Sequence, residues 1–274
     1  GSVWTFRPGY NAARLNHSAR RLALPELSRE DFVASLVDYV RADVKWVPEV
    51  DGSSLYLRPF MFASEEFVGV HPAGVVDYYV IGSPSGPYFK GGLSGVAIWV
   101  EREYHRAGPG GTGSAKAGGN YAASLLPQIQ AEAKGFSQVC FLDTYEGKYL
   151  EELGGMNMFV VMADGTIRTP ELTGVILEGG TRSAILRLLR DEGVDVREEK
   201  IALSEVVDGI RSGAVAEVFA CGTAAVVTPI TRLGGDDFDV EIEVGDKTRE
   251  IHKRLTDIQW GRAEDPYGWT YRLV

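Results

Sequence analysis

One lysine stands inside a glycine-rich stretch, GPGGTGSAKAGGNY, which runs from Gly108 to Tyr121. Gly108, Gly110 and Gly113 match the dinucleotide-binding pattern G-x-G-x-x-G, but that pattern requires a buried strand directly before it and a helix directly after it. The polar residues EREYHRA precede this stretch, and further glycines stand where the helix would begin. The match therefore does not indicate a dinucleotide site.

The same stretch also fails as a phosphate loop. That motif ends in G-K-[ST], because its lysine must follow glycine and its hydroxyl must reach Mg²⁺, whereas this sequence has Ala115-Lys116-Ala117. A solvated loop lysine is the plain interpretation of Lys116. The chemical interpretation is a Schiff base with a ligand carbonyl, because small neighbours leave room for a flat ring. The stretch by itself leaves both interpretations open.

Three further stretches carry residue types that suit a charged ligand. YLEELGGMNMFVV places two glutamates before a Gly-Gly turn, LEGGTRSAI sets Gly179, Gly180 and Thr181 at a helix start, and FACGTAAVVTP sets Gly222 and Thr223 at a strand end. Backbone N–H groups at such helix starts and turns favour anions. Each stretch alone is more often a cap, a turn or a surface pair. Together with the lysine they suit one ligand with an aldehyde, a basic ring nitrogen and a phosphate, as in pyridoxal 5′-phosphate.

The ordered motifs resemble those of the branched-chain aminotransferases, in class IV (D-amino-acid-aminotransferase-like) of the pyridoxal-phosphate enzymes. The resemblance runs over essentially the whole chain, through FRPGYNAARLNHSARRLALP, SLYLRPF, GPYFKGG, GGTGSAKAGGNYAASLL, YLEELGGMN, LEGGTR, EVFACGTAAVVTP and IQWGRAEDPYGW. It implies a mixed α/β (α+β), two-domain fold of type IV. It also implies amino transfer between branched-chain L-amino acids and 2-oxoglutarate. A D-amino-acid aminotransferase, an aminodeoxychorismate lyase and an inactive pyridoxal-phosphate-binding protein stay open as alternatives.

The resemblance assigns roles residue by residue. It implies that Lys116 binds the cofactor covalently and acts as general base, that Tyr121 hydrogen-bonds the ring 3′-oxygen, and that Glu152 pairs with the pyridine nitrogen. The implied phosphate ligands are Arg14, Gly180, Thr181, Gly222 and Thr223. The implied substrate side of the pocket comprises Tyr56, Arg58, Tyr88, Thr223 and Ala224. A homodimer is implied by the resemblance alone.

The sequence departs from the family's pattern in three respects. The family carries several strands upstream of FRP, so we expect that an upstream segment is missing from this chain. Gly155 and Glu178 stand where some relatives have threonine and proline, which predicts the loss of a hydroxyl beside the cofactor. Ala225 and Thr228 replace the paired cysteines of some relatives, so no thiol switch is expected there.

The elements that must position these residues alternate between helix and strand. Helical spacing predicts one helix over NAARLNHSARRLAL, capped by Asn11, and a second over SREDFVASLVDYVRADVKWVP, capped by Ser28. A third is predicted from Asn120 to Lys134, with an apolar face that includes Leu125, Leu126 and Ile129 and with a kink or break at Pro127. Strands are predicted in SLYLRPFMFA, VVDYYVIG, GVAIWVE, QVCFL, NMFVVMA, AEVFACG and AVVTPI. Later helices are predicted over residues 182–191, 203–211 and 247–259.

Prolines and glycines crowd between two of these strands, in SPSGPYFKGG. We therefore predict the remainder of a small N-terminal α/β domain over residues 1–84, an interdomain connector over 85–93 and a large cofactor-binding domain over 94–274. A Gly-Gly turn at residues 234 and 235 is expected to form a hairpin.

Composition narrows the classes of partner. The chain carries a formal net charge of −10, which repels nucleic acid. No apolar run reaches the roughly 20 residues of a membrane helix, so we expect no membrane partner and a cytoplasmic location. Cys140 and Cys221 lie in apolar strand-like runs and are predicted to be buried thiols. The histidines lack ligand spacing, so no metal is predicted. The expected partners are small amino acids and 2-oxo acids.

Overall fold

The computed structural model describes residues 1–86 and 93–274 of the chain. Contacts between Cα atoms divide the chain into two compact units: a first unit of Gly1–Lys90 with Ile258–Val274, and a second unit of Gly91–Asp257. Within the described ranges, no helix combines the length and the apolar character needed to cross a membrane.

The first unit contains two helices and a long antiparallel hairpin. Its elements are strand β1 (Trp4–Phe6), helix α1 (Pro8–Arg21), helix α2 (Arg29–Asp43), a short 3-10 helix (Val44–Trp46), and strands β2 (Ser54–Ala63) and β3 (Val76–Ser85). β2 and β3 pair along their full lengths, from Ser54 opposite Ser85 to Ala63 opposite Val76. Both predicted strands are confirmed, and the second extends beyond its predicted end.

Helix α1 begins earlier than the sequence predicted. Pro8 occupies its first turn, where the missing N–H costs no hydrogen bond and the fixed φ of proline suits a helix. Arg7 is the residue before the helix and has a left-handed φ of 51°. The prediction that Asn11 caps this helix is therefore wrong. Asn11 lies one turn inside, and its Nδ2 donates to the carbonyl of Arg7 at 3.1 Å.

Helix α2 confirms the cap that the sequence predicted. The Ser28 hydroxyl accepts a hydrogen bond from the backbone N–H of Asp31 at 3.0 Å. The helix buries Phe32, Leu36 and Val40 in a cluster with residues of α1 and of the C-terminus. This apolar stripe holds the first unit together.

The C-terminal residues belong to the first unit, which differs from the predicted domain limit of 94–274. A final strand, Thr270–Arg272, pairs antiparallel with β1, and Leu273 packs in the same cluster as Phe32. Sequence patterns could not show this pairing because its two strands stand at opposite ends of the chain. The predicted functional domains, 1–84 and 94–274 with a connector at 85–93, otherwise stay a prediction, and most of that connector lies outside the described residues.

The second unit is built on one mixed sheet with helices packed against it. Its strands run in the order β6-β5-β4-β11-β10-β7-β8-β9, with β12 paired to β11. The strands are β4 (Val96–Glu101), β5 (Gln138–Leu142), β6 (Leu150–Leu153), β7 (Asn157–Met162), β8 (Ile167–Pro170), β9 (Val196–Glu199), β10 (Val215–Gly222), β11 (Val226–Gly234) and β12 (Asp239–Glu241). The helices are α3 (Gly118–Ala133), α4 (Gly180–Asp191), α5 (Leu203–Ser212) and α6 (Asp246–Gln259). The mixed α/β fold class is confirmed.

The strands of this sheet bury most of their side chains. The main cluster includes Ile98, Val100, Cys140, Met158, Val160, Val218 and Ile230. Cys140 and Cys221 are free and fully buried, as predicted, and burial raises the pKa of each thiol to about 12. Neither thiol is a nucleophile at neutral pH. The predicted Gly-Gly hairpin joins β11 to β12, where the Gly235 N–H donates to the Phe238 carbonyl.

Helix α3 excludes the break that was predicted, as the alternative to a kink, at Pro127. It continues through Pro127, and the carbonyl that loses its partner belongs to Ala123, which is exposed to solvent. Its apolar residues Leu125, Leu126 and Ile129 are exposed. The buried side of the helix is formed by Asn120, Ser124, Pro127 and Ala131.

Candidate active site

Lys116 and Tyr121 form a hydrogen-bonded pair at the start of α3. The lysine Nζ donates to the tyrosine hydroxyl at 2.7 Å and lies 5.2 Å from the centre of the phenol ring. Lys116 is exposed, whereas its neighbours Ala115 and Ala117 are buried and fix the backbone on either side. This hydrogen bond places the amine of Lys116 close enough to the Tyr121 hydroxyl for the two groups to exchange a proton.

Glu152 is a buried carboxylate on β6. Its Oε1 accepts a hydrogen bond from the N–H of Leu177 at 2.7 Å and forms an ion pair with Nη1 of Arg106 at 2.8 Å. Both contacts involve Oε1, so Oε2 takes part in neither. Burial raises the pKa of Glu152 to about 7, although the charges of Arg106 and Lys116 and the Leu177 N–H favour the ionised form. Burial thus opposes ionisation of this carboxyl, whereas the ion pair with Arg106 favours it.

Arg106 is a site residue that sequence reasoning missed. Its side chain is 2% exposed, and besides Glu152 its Nη1 reaches the carbonyls of Val175 at 3.1 Å and Gly113 at 3.4 Å. The guanidinium thus joins the glycine-rich stretch, β6 and the segment before α4. The one signal in the sequence is an arginine two residues before the glycine-rich stretch, within the polar run EREYHRA.

Two glycines near Arg106 lie so close to neighbouring atoms that no side chain would fit at either position. A Cβ at Gly113 would lie 2.2 Å from the Val175 carbonyl oxygen, and a Cβ at Gly179 would lie 2.1 Å from Oδ1 of Asn157. Asn157 in turn donates to the Leu177 carbonyl at 3.0 Å. Leu177 is therefore held at its N–H by Glu152 and at its carbonyl by Asn157. These glycines serve close approach of chain segments rather than the turn of a nucleotide loop.

Gly180 and Thr181 form the first turn of α4, which carries no acidic residue there. Gly179 precedes the helix without a side-chain cap. Helix N-termini attract anions through their N–H groups and the helix dipole. Hydrogen bonds between Leu177 and the side chains of Glu152 and Asn157 hold the segment that leads into α4. The anion-attracting start of this helix follows that segment directly.

Gly222 ends β10, and Thr223 and Ala224 lie in the turn that joins β10 to β11. A Cβ at Gly222 would lie 3.2 Å from Cγ of Met156, so the turn packs tightly on the segment after β6. Pairing of Cys221 with Asn157 places this turn at the end of the sheet where Asn157 contacts the α4 segment. Sheet register therefore brings the two predicted phosphate turns to one end of the sheet.

The remaining predicted site residues lie in the first unit or outside the described residues. Arg14 is half-buried on α1, and its Nη2 donates to Oδ1 of Asn11 at 2.8 Å. Arg58 is exposed on β2, with its guanidinium 5.3 Å from the centre of the Tyr56 ring. Tyr88 lies outside the described residues. The roles assigned to these four residues stay predictions.

The donors and acceptors of the second unit fit pyridoxal 5′-phosphate. They comprise an amine for an aldehyde, a phenol for the 3′-oxygen, a buried carboxylate with one oxygen outside its internal contacts, and two N–H-rich turns for a phosphate. The chemistry that these groups share is acid and base catalysis beside a carbonyl.

Comparisons with known proteins agree with this fit. A family model described as amino-transferase class IV matches residues 5–233. The branched-chain-amino-acid aminotransferase of Mycolicibacterium smegmatis is 49% identical over 280 residues, which cover 100% of this chain and 76% of that protein. The structure is similar to that of the branched-chain aminotransferase from Thermoproteus uzoniensis with norvaline, with a TM-score of 0.84, 28% identity, and coverage of 100% of this chain and 86% of the other. A branched-chain amino acid aminotransferase from T.th. with pyridoxamine 5′-phosphate has a TM-score of 0.83 and 26% identity, covering 100% and 85%.

Removal of the Arg106 charge tests the buried ion pair. We expect Arg106→Met to lower the free energy of unfolding by about 3–5 kcal/mol where Glu152 is ionised, because the carboxylate is left buried without a counter-charge. The loss should be smaller below the pKa of Glu152, because a neutral carboxyl needs no counter-charge. Urea unfolding at about pH 8.5 and about pH 6 measures the difference.

Arg102→Met is the matched control, since Arg102 makes an exposed ion pair with Asp237. We expect its cost to be at most about 1 kcal/mol at both pH values. An equal loss for Arg106→Met at both pH values would contradict the electrostatic coupling.

Proposed function

The chain belongs to the class IV aminotransferases, and from this premise we propose that it transfers amino groups between branched-chain L-amino acids and 2-oxoglutarate. The products are branched-chain 2-oxo acids and L-glutamate. The observation that carries the chemistry is the Lys116–Tyr121 pair in the same unit as the buried Glu152–Arg106 pair. The names of the compared relatives favour the branched-chain reaction over the D-amino-acid and aminodeoxychorismate alternatives.

Enzymes of this class depend on pyridoxal 5′-phosphate. When bound, the cofactor supplies an aldehyde that takes up the amino group and a conjugated ring that takes up the electron pair released with the α-proton. We propose that Lys116 holds the aldehyde and Tyr121 the 3′-oxygen. The phosphate would be held by Arg14, Gly180, Thr181, Gly222 and Thr223.

Lys116 has two tasks in this proposal. It would hold the aldehyde of the cofactor, and its amine would act as the general base that takes the α-proton of the amino acid. Tyr121 supports both tasks, because its hydroxyl accepts a hydrogen bond from Nζ at 2.7 Å and so restrains a side chain with many rotamers. The amine is thereby kept beside the Tyr121 hydroxyl.

Glu152 holds a negative charge beside the ring nitrogen in this proposal. Its Oε1 is occupied by Arg106 and Leu177, so Oε2 is the oxygen suited to the nitrogen. The arginine counters the burial that raises the pKa of Glu152. In its ionised form the carboxylate would favour a protonated ring nitrogen, which strengthens the ring as an electron acceptor.

The substrate pocket must accept both an aliphatic side chain and the second carboxylate of glutamate. A buried unpaired carboxylate is costly, so we propose that Arg58 receives it. Tyr56 and Tyr88 would offer aromatic faces to leucine, isoleucine or valine. The turn with Thr223 and Ala224 would offer its amides to the α-carboxylate.

The lysine assignment predicts the behaviour of Lys116→Ala. We expect its turnover of leucine with 2-oxoglutarate to fall by at least about 10³-fold, because both attachment and proton transfer are lost. Borohydride reduction followed by peptide mass analysis should find cofactor on the Lys116 peptide of the unaltered chain and none in the variant.

Lys148→Ala serves as the control, since Lys148 is an exposed lysine beside Tyr149. It should keep normal turnover and normal trapping. Normal turnover by Lys116→Ala would refute the proposed function.

The dual-substrate assignment predicts an unequal effect of Arg58→Ala. We expect kcat/KM for glutamate to fall by about tenfold or more relative to that for leucine, because only glutamate has a second carboxylate for the guanidinium. Steady-state kinetics with each donor measures the ratio. Arg41→Ala, an exposed arginine on α2, should change neither value, and an equal loss for both donors in Arg58→Ala would exclude the assignment.

We also propose that the chain acts as a homodimer through the exposed side of α3. Leu125, Leu126 and Ile129 are 63%, 51% and 63% exposed and form one apolar surface. Contiguous exposed apolar residues mark association surfaces, and a second copy of the chain offers the same patch. A cytoplasmic location stays a prediction from composition.

The double variant Leu125→Glu with Ile129→Glu tests this association. We expect it to sediment as a monomer at concentrations where the unaltered chain is dimeric, because charges would be buried in the interface. Gln130→Glu adds one charge to an exposed position of the same helix and should leave the dimer intact. A dimeric double variant would show that another surface forms the contact.

A further inference from the structure

Asn120 is buried in the first turn of α3, at 3% exposure. Its Oδ1 accepts a hydrogen bond from the Thr112 hydroxyl at 2.7 Å. Its Nδ2 donates to the carbonyls of Thr112 at 2.8 Å and Ala115 at 2.9 Å. All three side-chain contacts therefore go to the glycine-rich stretch that carries Lys116.

The backbone at Lys116 forms a very tight turn. The Ala117 N–H donates to the Ala115 carbonyl at 2.9 Å, so the hydrogen bond spans three residues with Lys116 at the centre. The Ala115 carbonyl thus accepts from both Ala117 and the Asn120 side chain. The Asn120 N–H also donates to the Ala117 carbonyl at 3.2 Å. Asn120 consequently bonds to both ends of the turn.

The same helix turn carries the partner of the lysine. Tyr121 follows Asn120 directly, and its hydroxyl accepts from Lys116 Nζ. Asn120 therefore connects the turn that bears the amine to the helix start that bears the phenol. A change in the position of the turn would change the distance between the two reacting groups.

We propose that Asn120 is a positioning residue that sets the location of the Lys116 amine. Its side-chain amide donates to the Ala115 carbonyl and thereby holds the turn against the start of α3. The inference rests on the proposed function, in which Lys116 Nζ must meet a carbonyl carbon. Misplacement of a reacting group by about 1 Å can cost up to about 10²-fold in rate.

A purely structural role would give a different result, and Asn16 provides the comparison. Its Nδ2 donates to the Leu27 carbonyl at 2.7 Å, and its Oδ1 accepts from the Leu27 N–H at 3.0 Å. This amide also bridges two backbone segments, but it lies in the first unit. Asn16→Ala therefore reports what the loss of a bridging amide does to stability without affecting Lys116.

The first experiment follows attachment of pyridoxal 5′-phosphate to the full chain after the cofactor has been removed. We expect Asn120→Ala to slow covalent attachment at Lys116 by about tenfold or more, as measured by absorbance and by the mass of the borohydride-reduced Lys116 peptide. Asn16→Ala should attach cofactor at the unaltered rate, even if its melting temperature falls. Wild-type attachment kinetics in Asn120→Ala would overturn the proposal.

Asn120→Asp covers the case in which Asn120→Ala does not fold. It keeps the size of the side chain and the acceptor for Thr112, but it cannot make the two donations. Slow attachment in Asn120→Asp supports positioning, whereas unaltered attachment overturns it.

The second experiment uses no cofactor, so it separates this inference from the proposed function. Brief acetic anhydride labelling of the cofactor-free chain gives the ratio of modification at Lys116 to that at the exposed Lys148. We expect this ratio to change by at least about twofold in Asn120→Ala, because the amine moves relative to the Tyr121 hydroxyl that hydrogen-bonds it, and to stay constant in Asn16→Ala. A changed ratio in a chain that never attaches cofactor would refute the proposed function but support positioning. An unchanged ratio would refute positioning.

Discussion

The buried ion pair between Arg106 and Glu152 is the interaction on which the candidate site depends. Two charges removed from water are stable only when they are paired and their remaining donors and acceptors are bonded. Arg106 meets part of this requirement, because its Nη1 also donates to the carbonyls of Gly113 and Val175, whereas its buried Nε has no hydrogen-bond partner among the described residues. The same contacts fix the lysine stretch and the α4 segment around the carboxylate. The guanidinium of Arg106 therefore supplies the counter-charge of Glu152 and also holds the two neighbouring chain segments in place.

A continuous set of buried contacts extends from this pair. Leu177 is bonded to Glu152 through its N–H and to Asn157 through its carbonyl, and Asn157 lies opposite Cys221 in the sheet. Cys221 directly precedes the Gly222 turn. The two anion-attracting turns are thus tied through Asn157 and β-sheet register, which suits a rigid site whose groups are arranged before a ligand binds.

Local patterns were sufficient where the interacting residues are close in sequence. The Ser28 cap and the limits of β2 were predicted correctly, because a cap bond spans three residues and a strand reveals itself by its own composition. Prediction failed where a distant partner decided the outcome. Asn11 does not cap α1, because that helix begins at Pro8, and the pairing of the C-terminal strand with β1 joins opposite ends of the chain.

The sequence alone determined the family and the mixed α/β class, and its resemblance to that family identified Lys116, Tyr121 and Glu152 as candidates, because the resemblance is carried by residues within short contiguous motifs. Only the tertiary structure decided how they are supported. Arg106 pairs with Glu152 from a segment far away along the chain, and the need for glycine at residues 113 and 179 arises from backbone and side chains across the fold. Such contacts leave no local sequence pattern, since they join residues that are distant in sequence and meet only in the tertiary fold.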